Sequence, residues 1–199
     1  MTIIIGLKDD ENERIILGSD RQGTADDISV NYGCKIFTKP INVVDEDNHI
    51  LGEEYITFCM SGSHYLQSYL THAFTPPGIL KDEDFVDYLY SQFFQTLNNE
   101  LSGHNLLYVS DGVLDSESSL ILVFKGELYN VHSDFSIVEA VDGVTCNGSG
   151  WKIALSVLTN LLQNHSDMDK IEMVKEALET TGELNIYCNK DYDIREIRL

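Results

Sequence analysis

The beginning of the chain alternates between short apolar runs and polar turns, a pattern typical of strands rather than helices. Residues 3–7 and 14–18 are rich in β-branched side chains, and the polar residues 9–12 between them predict a hairpin turn. Residues 21–32 are polar and contain glycine, which predicts a loop, and residues 34–38 are again strand-like. The chain is therefore expected to open with a β-hairpin, a loop and a third strand.

An acidic segment interrupts the region of the third strand. Residues 40–44 and 50–51 flank an acidic tip at residues 45–48, which predicts a second hairpin or an excursion from the sheet. Residues 39–54 are interpreted as an insertion, and residues 55–60 as the next strand.

Two helical stretches follow. The first covers residues 63–74, and the second begins near residues 82–84, whose carboxylates suit a helix N-terminus. Apolar residues recur in the second stretch at intervals of three or four, apart from one polar turn at Gln92 and Thr96. They are Phe85, Tyr88, Leu89, Phe93, Leu97 and Leu101. This helix is expected to cover a sheet.

The second half of the chain repeats this order. The predicted strands are residues 119–124, 128–131, 135–141, 184–188 and 194–197. One predicted helix opens at residues 148–150, and another begins near the capping-box pattern of Ser166 and Asp169 and stops at Gly182. Strands, helices, strands and helices in this order predict an α+β fold, in which two layers of antiparallel strands lie between two layers of helices. We expect one domain over residues 1–199.

The charge balance argues against several classes of partner. Acidic residues outnumber basic ones by 33 to 13 among 199 residues, which gives a formal net charge of -20. Such a chain repels phosphate groups, so we expect neither nucleic acid nor a membrane as a partner. The four cysteines lack metal-ligand spacing and are typical of reduced thiols. No signal peptide or long apolar run is recognisable, and the sequence predicts a cytoplasmic location.

Common catalytic motifs are missing from the sequence. It contains no G-x-x-x-x-G-K-[ST], G-x-G-x-x-G, G-x-S-x-G or H-E-x-x-H pattern. The six histidines are scattered, and only His64 and His72 share a helical register. Metal-dependent hydrolysis and histidine-assisted serine chemistry are therefore disfavoured.

The N-terminus offers a different nucleophile. Thr2 is small enough for Met1 to be removed, which would leave a hydroxyl and a free α-amine on one residue. An α-amine has an unperturbed pKa of about 7.7 to 8.0 and can act as the base for its own hydroxyl. Asp20 follows the second strand and Lys35 begins the third, so both are predicted beside the end of the first strand. Asp20 would hold Lys35 charged and in position.

Six short segments carry a family resemblance through their order and spacing. They read TIIIGL (residues 2–7), ILGSD (16–20), GCKI (33–36), MSGS (60–63), NGSGWKIAL (147–155) and TGELNIYCN (181–189). Together they resemble the proteasome β-subunit and HslV-like family of N-terminal-nucleophile hydrolases. The resemblance implies a four-layer αββα sandwich, in agreement with the order of predicted elements.

The resemblance also implies a role for each matched residue. The implied catalytic residues are Thr2, Asp20, Lys35, Ser149, Ser61 and Gly62. Thr2 matches the nucleophile, Asp20 and Lys35 match the charge pair beside it, and Ser149 matches a serine that hydrogen-bonds the threonine amine. A backbone amide in the turn at residues 61–62 corresponds to the oxyanion hole.

No required cofactor is implied, but HslV-like subunits bind a monovalent cation through backbone carbonyls. The corresponding carbonyls here lie near Gly182, Asn185 and Cys188.

Three functions are compatible with these residues. The first is a threonine-type endopeptidase that assembles with itself into a ring, cleaves polypeptides and works with an ATPase or regulatory cap. The second is a catalytically inactive structural or binding subunit on the same fold, and retention of Met1 would support it. The third is an N-terminal-nucleophile amidase that acts on a small amide.

Overall fold

The computed structural model describes residues 2–25, 28–31, 33–103, 108–110, 113–140 and 142–199. The strands are β1 (Ile3–Asp9), β2 (Arg14–Asp20), β3 (Gln22–Ala25), β4 (Ile28–Asn31), β5 (Ile36–Val44), β6 (Ile50–Ser61), β7 (Ile79–Leu80), β8 (Tyr108–Ser110), β9 (Val113–Asp115), β10 (Ser119–Phe124), β11 (Glu127–Val131), β12 (Ile137–Glu139), β13 (Val144–Gly148) and β14 (Tyr192–Arg198). The helices are α1 (His64–His72), α2 (Phe85–Tyr88), α3 (Phe94–Ser102), α4 (Trp151–Asn164) and α5 (Lys170–Leu184), with a short 3₁₀ turn at Asp10–Asn12 and a π-helical turn at Leu89–Phe93. Within these ranges, no helix combines the length and apolar character needed to cross a membrane.

Two large sheets organise the chain. The first has the strand order β13-β1-β2-β14, and the second has the order β12-β11-β10-β6-β5-β7. Neighbouring strands in both sheets are antiparallel, except that β5 and β7 are parallel. The predicted first hairpin is confirmed, since Ile4 of β1 pairs with Ser19 of β2. On its other side β1 pairs with β13, where Ile3 lies opposite Gly148. Thr2 therefore precedes a strand that is held from both sides.

Three apolar clusters show how the sheets and helices stack. The cluster between the two sheets contains Ile4, Ile15, Leu17, Ile36, Cys59, Ile121, Val123 and Leu128. The cluster between the first sheet and helices α4 and α5 includes Ile3, Ile5, Leu7, Ile16, Ala154, Leu158, Val174 and Leu178. The cluster between the second sheet and helices α1 to α3 includes Phe58, Met60, Leu66, Leu70, Tyr88, Phe93, Leu97 and Leu122. Because side chains alternate across a strand, Ile3 packs against the helices while its neighbour Ile4 packs between the two sheets. The predicted αββα sandwich is confirmed.

The long helix predicted from residues 82–84 onward is divided by the π-helical turn at Leu89–Phe93. A π turn inserts one residue into the helical repeat and so rotates everything that follows. Phe93 and its neighbour Phe94 are both buried as a result. The polar interruption at Gln92 marks the place where the register shifts.

Two hairpins lie between β2 and α1. β5 and β6 pair around the acidic tip, which confirms the second predicted hairpin, with residues 39–54 as its outer part. The carboxylate of Asp45 accepts the amides of Asp47 and His49 and so closes the tip. The loop predicted over residues 21–32 is wrong, because β3 and β4 pair there as a hairpin.

The structure also corrects the closing part of the chain. Helix α5 continues past Gly182 to Leu184, and its N-cap is Asp169, whose side chain accepts the amide of Ile171. The strand predicted over residues 184–188 is wrong, because this segment forms a turn.

An ionic cluster around the buried carboxylate of Asp9 ties β1, β2, β14 and α5 together at the end of the first hairpin. The guanidinium of Arg14 donates to Asp9, Asp169 and Glu196, each at 2.7 Å, and Lys170 lies 3.4 Å from Asp9. Burial raises the pKa of Asp9, but the hydrogen bond from Arg14 and the charge of Lys170 outweigh it and leave the pKa below its ordinary value. The hydrogen bond from Arg14 likewise lowers the pKa of Asp169 and of Glu196. The cluster therefore stabilises the fold only while its carboxylates are ionised.

Replacing Arg14 with methionine is expected to lower the free energy of unfolding by about 2–4 kcal/mol at pH 7, because it leaves the buried Asp9 carboxylate poorly compensated. Carboxyl groups whose pKa is lowered by folding lose their contribution as the pH falls below about 4, so the difference between wild type and variant shrinks there. Urea unfolding at pH 7 and pH 3 measures this difference. Lys175→Met is the control, since it removes an exposed partner of Glu172 and should cost less than about 0.5 kcal/mol. A difference for Arg14→Met that stays constant with pH would contradict the expectation.

Candidate active site

Three polar side chains meet where strands of the two sheets begin or end. Thr2 precedes β1, Asp20 is the last residue of β2, and Lys35 immediately precedes β5. Antiparallel pairing brings the start of β1 beside the end of β2, and stacking of the sheets brings the start of β5 against both. The exposed fractions of Thr2, Asp20 and Lys35 are 2%, 0% and 6%. The structure thus brings together the residues that the sequence predicted as nucleophile and charge pair.

Hydrogen bonds join these three residues into one cluster. The Thr2 hydroxyl donates to Asp20 Oδ1 and accepts from Lys35 Nζ. Lys35 Nζ also donates to Asp20 Oδ1 at 2.9 Å and to the backbone carbonyl of Gln22 at 2.7 Å. Three acceptors use all three hydrogens of the ammonium group, which fixes its position. The Thr2 hydroxyl therefore lies between a buried carboxylate and a buried ammonium.

Backbone groups complete the cluster. Asp20 Oδ1 accepts the amide of Ile3 at 3.1 Å, and Asp20 Oδ2 accepts the amide of Asn189 at 3.3 Å. Sequence reasoning did not identify these contacts or the one from Lys35 to the Gln22 carbonyl. Each of these hydrogen bonds involves a main-chain amide or carbonyl, so the residue type at Ile3, Gln22 or Asn189 does not indicate it. Asn189 was recognisable only as the last residue of the closing matched segment.

Residues 148–150 hold the backbone of Thr2. The Ser149 hydroxyl donates to the carbonyl oxygen of Thr2 at 3.1 Å. The resemblance implied a bond to the threonine amine, but Met1 precedes Thr2 in this chain, so the Thr2 nitrogen is an amide nitrogen. Met1 itself lies outside the described residues. Gly148 has a φ of +90°, and a Cβ there would lie 2.3 Å from the Thr2 carbonyl oxygen.

The turn after β6 and Thr2 both line two neighbouring cavities. Gly62 has a φ of +111°, which glycine adopts readily. Thr2, Ser61 and Gly62 line a cavity of about 230 Å³ together with Lys35. The same three residues line a second cavity of about 560 Å³ together with Ser149. Residues 61–62 therefore line the same two cavities as Thr2, and their role in an oxyanion hole stays a prediction.

The thiol of Cys188 also lies close to this cluster. Its sulfur lies 3.8 Å from the Ser149 hydroxyl, and the residue is buried. Burial, assisted by the negative charge of Asp20, raises the pKa of the Cys188 thiol to about 11. Because the thiolate is the reactive form, the Cys188 thiol is a poor nucleophile at neutral pH.

The carbonyls predicted to bind a monovalent cation lie at the end of α5 and in the following turn. Gly182 packs so closely there that a Cβ would lie 2.6 Å from the carbonyl oxygen of Asn189. The carbonyl of Asn185 accepts the amide of Cys188 at 3.0 Å, so one of its lone pairs is already engaged. The second lone pair is compatible with a cation, and this site stays a prediction.

Comparison with known proteins gives both sequence and structural relatives. No family model matches the chain. A segment of 82 residues, 41% of this chain, is 34% identical to the ATP-dependent protease subunit HslV of Aliarcobacter butzleri (strain RM4018). The match spans 46% of that relative, so the chain spans about half the length of the curated relative it matches.

The structural matches extend over the whole chain. Thiobacillus denitrificans BPH superposes with a TM-score of 0.72 and 19% identity, covering 100% of this chain and 98% of that one. The same protein in complex with Epoxomicin gives a TM-score of 0.71 and 17% identity, covering 100% of this chain and 99% of that one. HslV from Trypanosoma brucei gives a TM-score of 0.62 and 16% identity, covering both chains fully. The chain therefore resembles HslV in sequence and has the fold of the proteasome-like N-terminal-nucleophile hydrolases.

Proposed function

We propose that this protein is a threonine-type peptidase whose nucleophile is the hydroxyl of Thr2, exposed with a free α-amine after removal of Met1. One observation carries the proposal: the Thr2 hydroxyl lies between Asp20 and Lys35, at the boundary of two cavities. A hydroxyl is a weak nucleophile at neutral pH, and it needs an adjacent base or a charge that favours its ionisation. The free α-amine would supply the base and Lys35 the charge.

In the acylation step, Thr2 Oγ1 attacks the carbonyl carbon of a peptide bond and its proton passes to the α-amine. The carbonyl oxygen becomes an oxyanion that accepts a hydrogen bond from the backbone amide of Gly62. Preorganised donors of this kind stabilise the transition state more than the ground state. The intermediate collapses as the protonated α-amine gives its proton to the leaving nitrogen, which releases the amine product and leaves an ester on Thr2.

Deacylation repeats these transfers with water. The α-amine removes a proton from a water molecule, the resulting hydroxide adds to the ester carbon, and the acid product leaves as Thr2 Oγ1 recovers its proton. The Lys35 side chain keeps its position throughout, because Asp20 Oδ1 and the Gln22 carbonyl both accept hydrogen bonds from Nζ. In this mechanism Asp20 acts through Lys35 and by holding the amide of Ile3.

We also propose that the protein assembles with itself into a ring and receives polypeptides from an ATPase. Exposed apolar side chains near the site support self-association, since Leu184 is 69% and Ile186 82% exposed while the Ile186 carbonyl accepts from the buried Gln22. The ATPase is suggested by the HslV relative, whose name describes it as ATP-dependent. A cytoplasmic location is proposed on the same likeness.

Mass spectrometry of the purified chain, before and after treatment with Epoxomicin, tests the proposal. We expect a subunit mass reduced by one methionine, an oligomer in the native spectrum, and a covalent adduct that peptide sequencing places on Thr2. An epoxyketone can bond to both the hydroxyl and the adjacent free amine, so the adduct reports both groups. Retained Met1 without an adduct would contradict the proposal and favour an inactive subunit. An adduct without cleavage of any peptide substrate would favour an amidase of small amides.

A further inference from the structure

A second loop packs directly against the turn that faces Thr2. A Cβ on Gly62 would lie 2.3 Å from the carbonyl oxygen of Glu117 and 2.6 Å from the Cα of Ser118. The Ser118 hydroxyl accepts the backbone amide of Ser63 at 2.9 Å. The segment of residues 116–118 therefore contacts the turn through both backbone packing and one side-chain hydrogen bond.

This segment has anchors of its own. The backbone amide of Ser116 donates to the carbonyl of Ser133 at 2.9 Å, and the Ser116 hydroxyl lies 3.1 Å from both that carbonyl and the carbonyl of Ser118. Ser116 and Ser118 are 5% and 4% exposed. The hydroxyl of Ser118 is thus presented from a fixed backbone in a buried position.

The hydrogen bond from Ser63 to Ser118 determines how the turn is oriented. It holds the peptide plane between Gly62 and Ser63, and the close approach of Glu117 leaves no room for a side chain at position 62. The two backbone torsions of Gly62, whose φ is +111°, link this plane to the preceding one, so holding the Gly62–Ser63 peptide also restrains the amide of Gly62. This is the amide that the proposed mechanism uses as the oxyanion donor.

We propose that Ser118 is a positioning residue for oxyanion stabilisation, because its hydroxyl holds the turn that carries the Gly62 amide. The inference rests on the proposed function and assigns a role that no motif in the sequence indicates. Without the hydroxyl, the Ser63 amide loses its acceptor and the turn gains the freedom to rotate. Since the oxyanion exists only in the transition state, the loss falls on the chemical step and not on substrate binding.

Kinetics of Ser118→Ala against a fluorogenic peptide test this role. We expect kcat to fall about 10- to 100-fold and KM to stay within about twofold of wild type, because a small displacement of a catalytic donor slows chemistry without weakening ground-state contacts. With Epoxomicin, the limiting inactivation rate should fall and the half-saturating concentration should stay the same. Ser118→Thr keeps the acceptor and is expected to recover most of kcat.

Thr57→Val is the matched control. It removes the hydroxyl of a residue that is 5% exposed and lies 3.0 Å from the Thr38 hydroxyl on the neighbouring strand, and it leaves the segment of residues 116–118 unchanged. Its melting temperature should fall about as far as that of Ser118→Ala, while its kcat stays near wild type. Ser118→Cys, with a weak acceptor of similar size, replaces the alanine variant if that variant does not fold.

The outcomes separate the two proposals. Equal kcat in Ser118→Ala and Thr57→Val, or a change confined to KM, would overturn the role of Ser118 while leaving the peptidase intact. A wild-type protein that cleaves no peptide and forms no Epoxomicin adduct would overturn the proposed function itself, and the role of Ser118 with it.

Discussion

Replacing Thr2 with alanine is expected to reduce peptide hydrolysis by at least about 10³-fold, because loss of a covalent nucleophile removes the acylation step altogether. Alanine is as suitable as threonine for removal of Met1, so the variant retains a free α-amine and differs only in the side chain. Asp20 and Lys35 remain bonded to each other in the variant, since their contact at 2.9 Å does not involve Thr2. Turnover of a fluorogenic peptide measures the effect, and circular dichroism confirms that the variant is folded.

Thr2→Ser is the matched control for this variant. Serine keeps the hydroxyl between Asp20 and Lys35, so activity should stay within about tenfold of wild type and the Epoxomicin adduct should form. Cleavage by Thr2→Ala at the wild-type rate would show that the nucleophile lies elsewhere and would contradict the peptidase mechanism.

The central part of this site was predictable because it depends on strand order and not on loops. An N-terminal hairpin necessarily places the end of β2 beside the start of β1, so Asp20 had to lie near Thr2. Lys35 was expected nearby from its place at the start of the third strand. The prediction of the αββα layers succeeded for a related reason, since apolar periodicity records which face of each strand and helix is buried.

The parts that the sequence did not reveal depend on contacts between distant loops. Strand β13 (Val144–Gly148) was missed because its short sequence VTCNG has little apolar alternation, and only residues 148–150 were interpreted, as the start of a helix. The segment of residues 184–188 was predicted as a strand from its alternating apolar residues, yet Ile186 is exposed and Asn185 accepts the amide of Tyr187 to form a turn. Alternation of apolar residues alone does not distinguish a buried strand from an exposed turn.

The geometry around the Thr2 carbonyl depends on a residue without a side chain at position 148. Gly148 pairs with Ile3 in the ladder between β1 and β13, and its φ of +90° is unfavourable for any other residue. A Cβ there would meet the Thr2 carbonyl oxygen at 2.3 Å, the Thr2 carbonyl carbon at 3.0 Å and the Ser61 Cβ at 3.4 Å. Two of these atoms are backbone, so relief of the contact requires β1 and β13 to move apart next to Thr2.

Gly148→Ala is therefore expected to lower the free energy of unfolding by about 2–4 kcal/mol, from backbone strain and overpacking together. Activity should fall by more than about 10²-fold even where the variant is folded, since displacement of the Thr2 backbone misplaces the hydroxyl. Gly52→Ala is the control, because Gly52 has no atom within 4 Å of the added Cβ, and its effect should stay within about 0.5 kcal/mol. Urea unfolding and peptide turnover measure both quantities. Full activity and stability in Gly148→Ala would mean that the Thr2 carbonyl can shift without loss of folding free energy. The inference that β13 fixes the position of Thr2 would then be refuted.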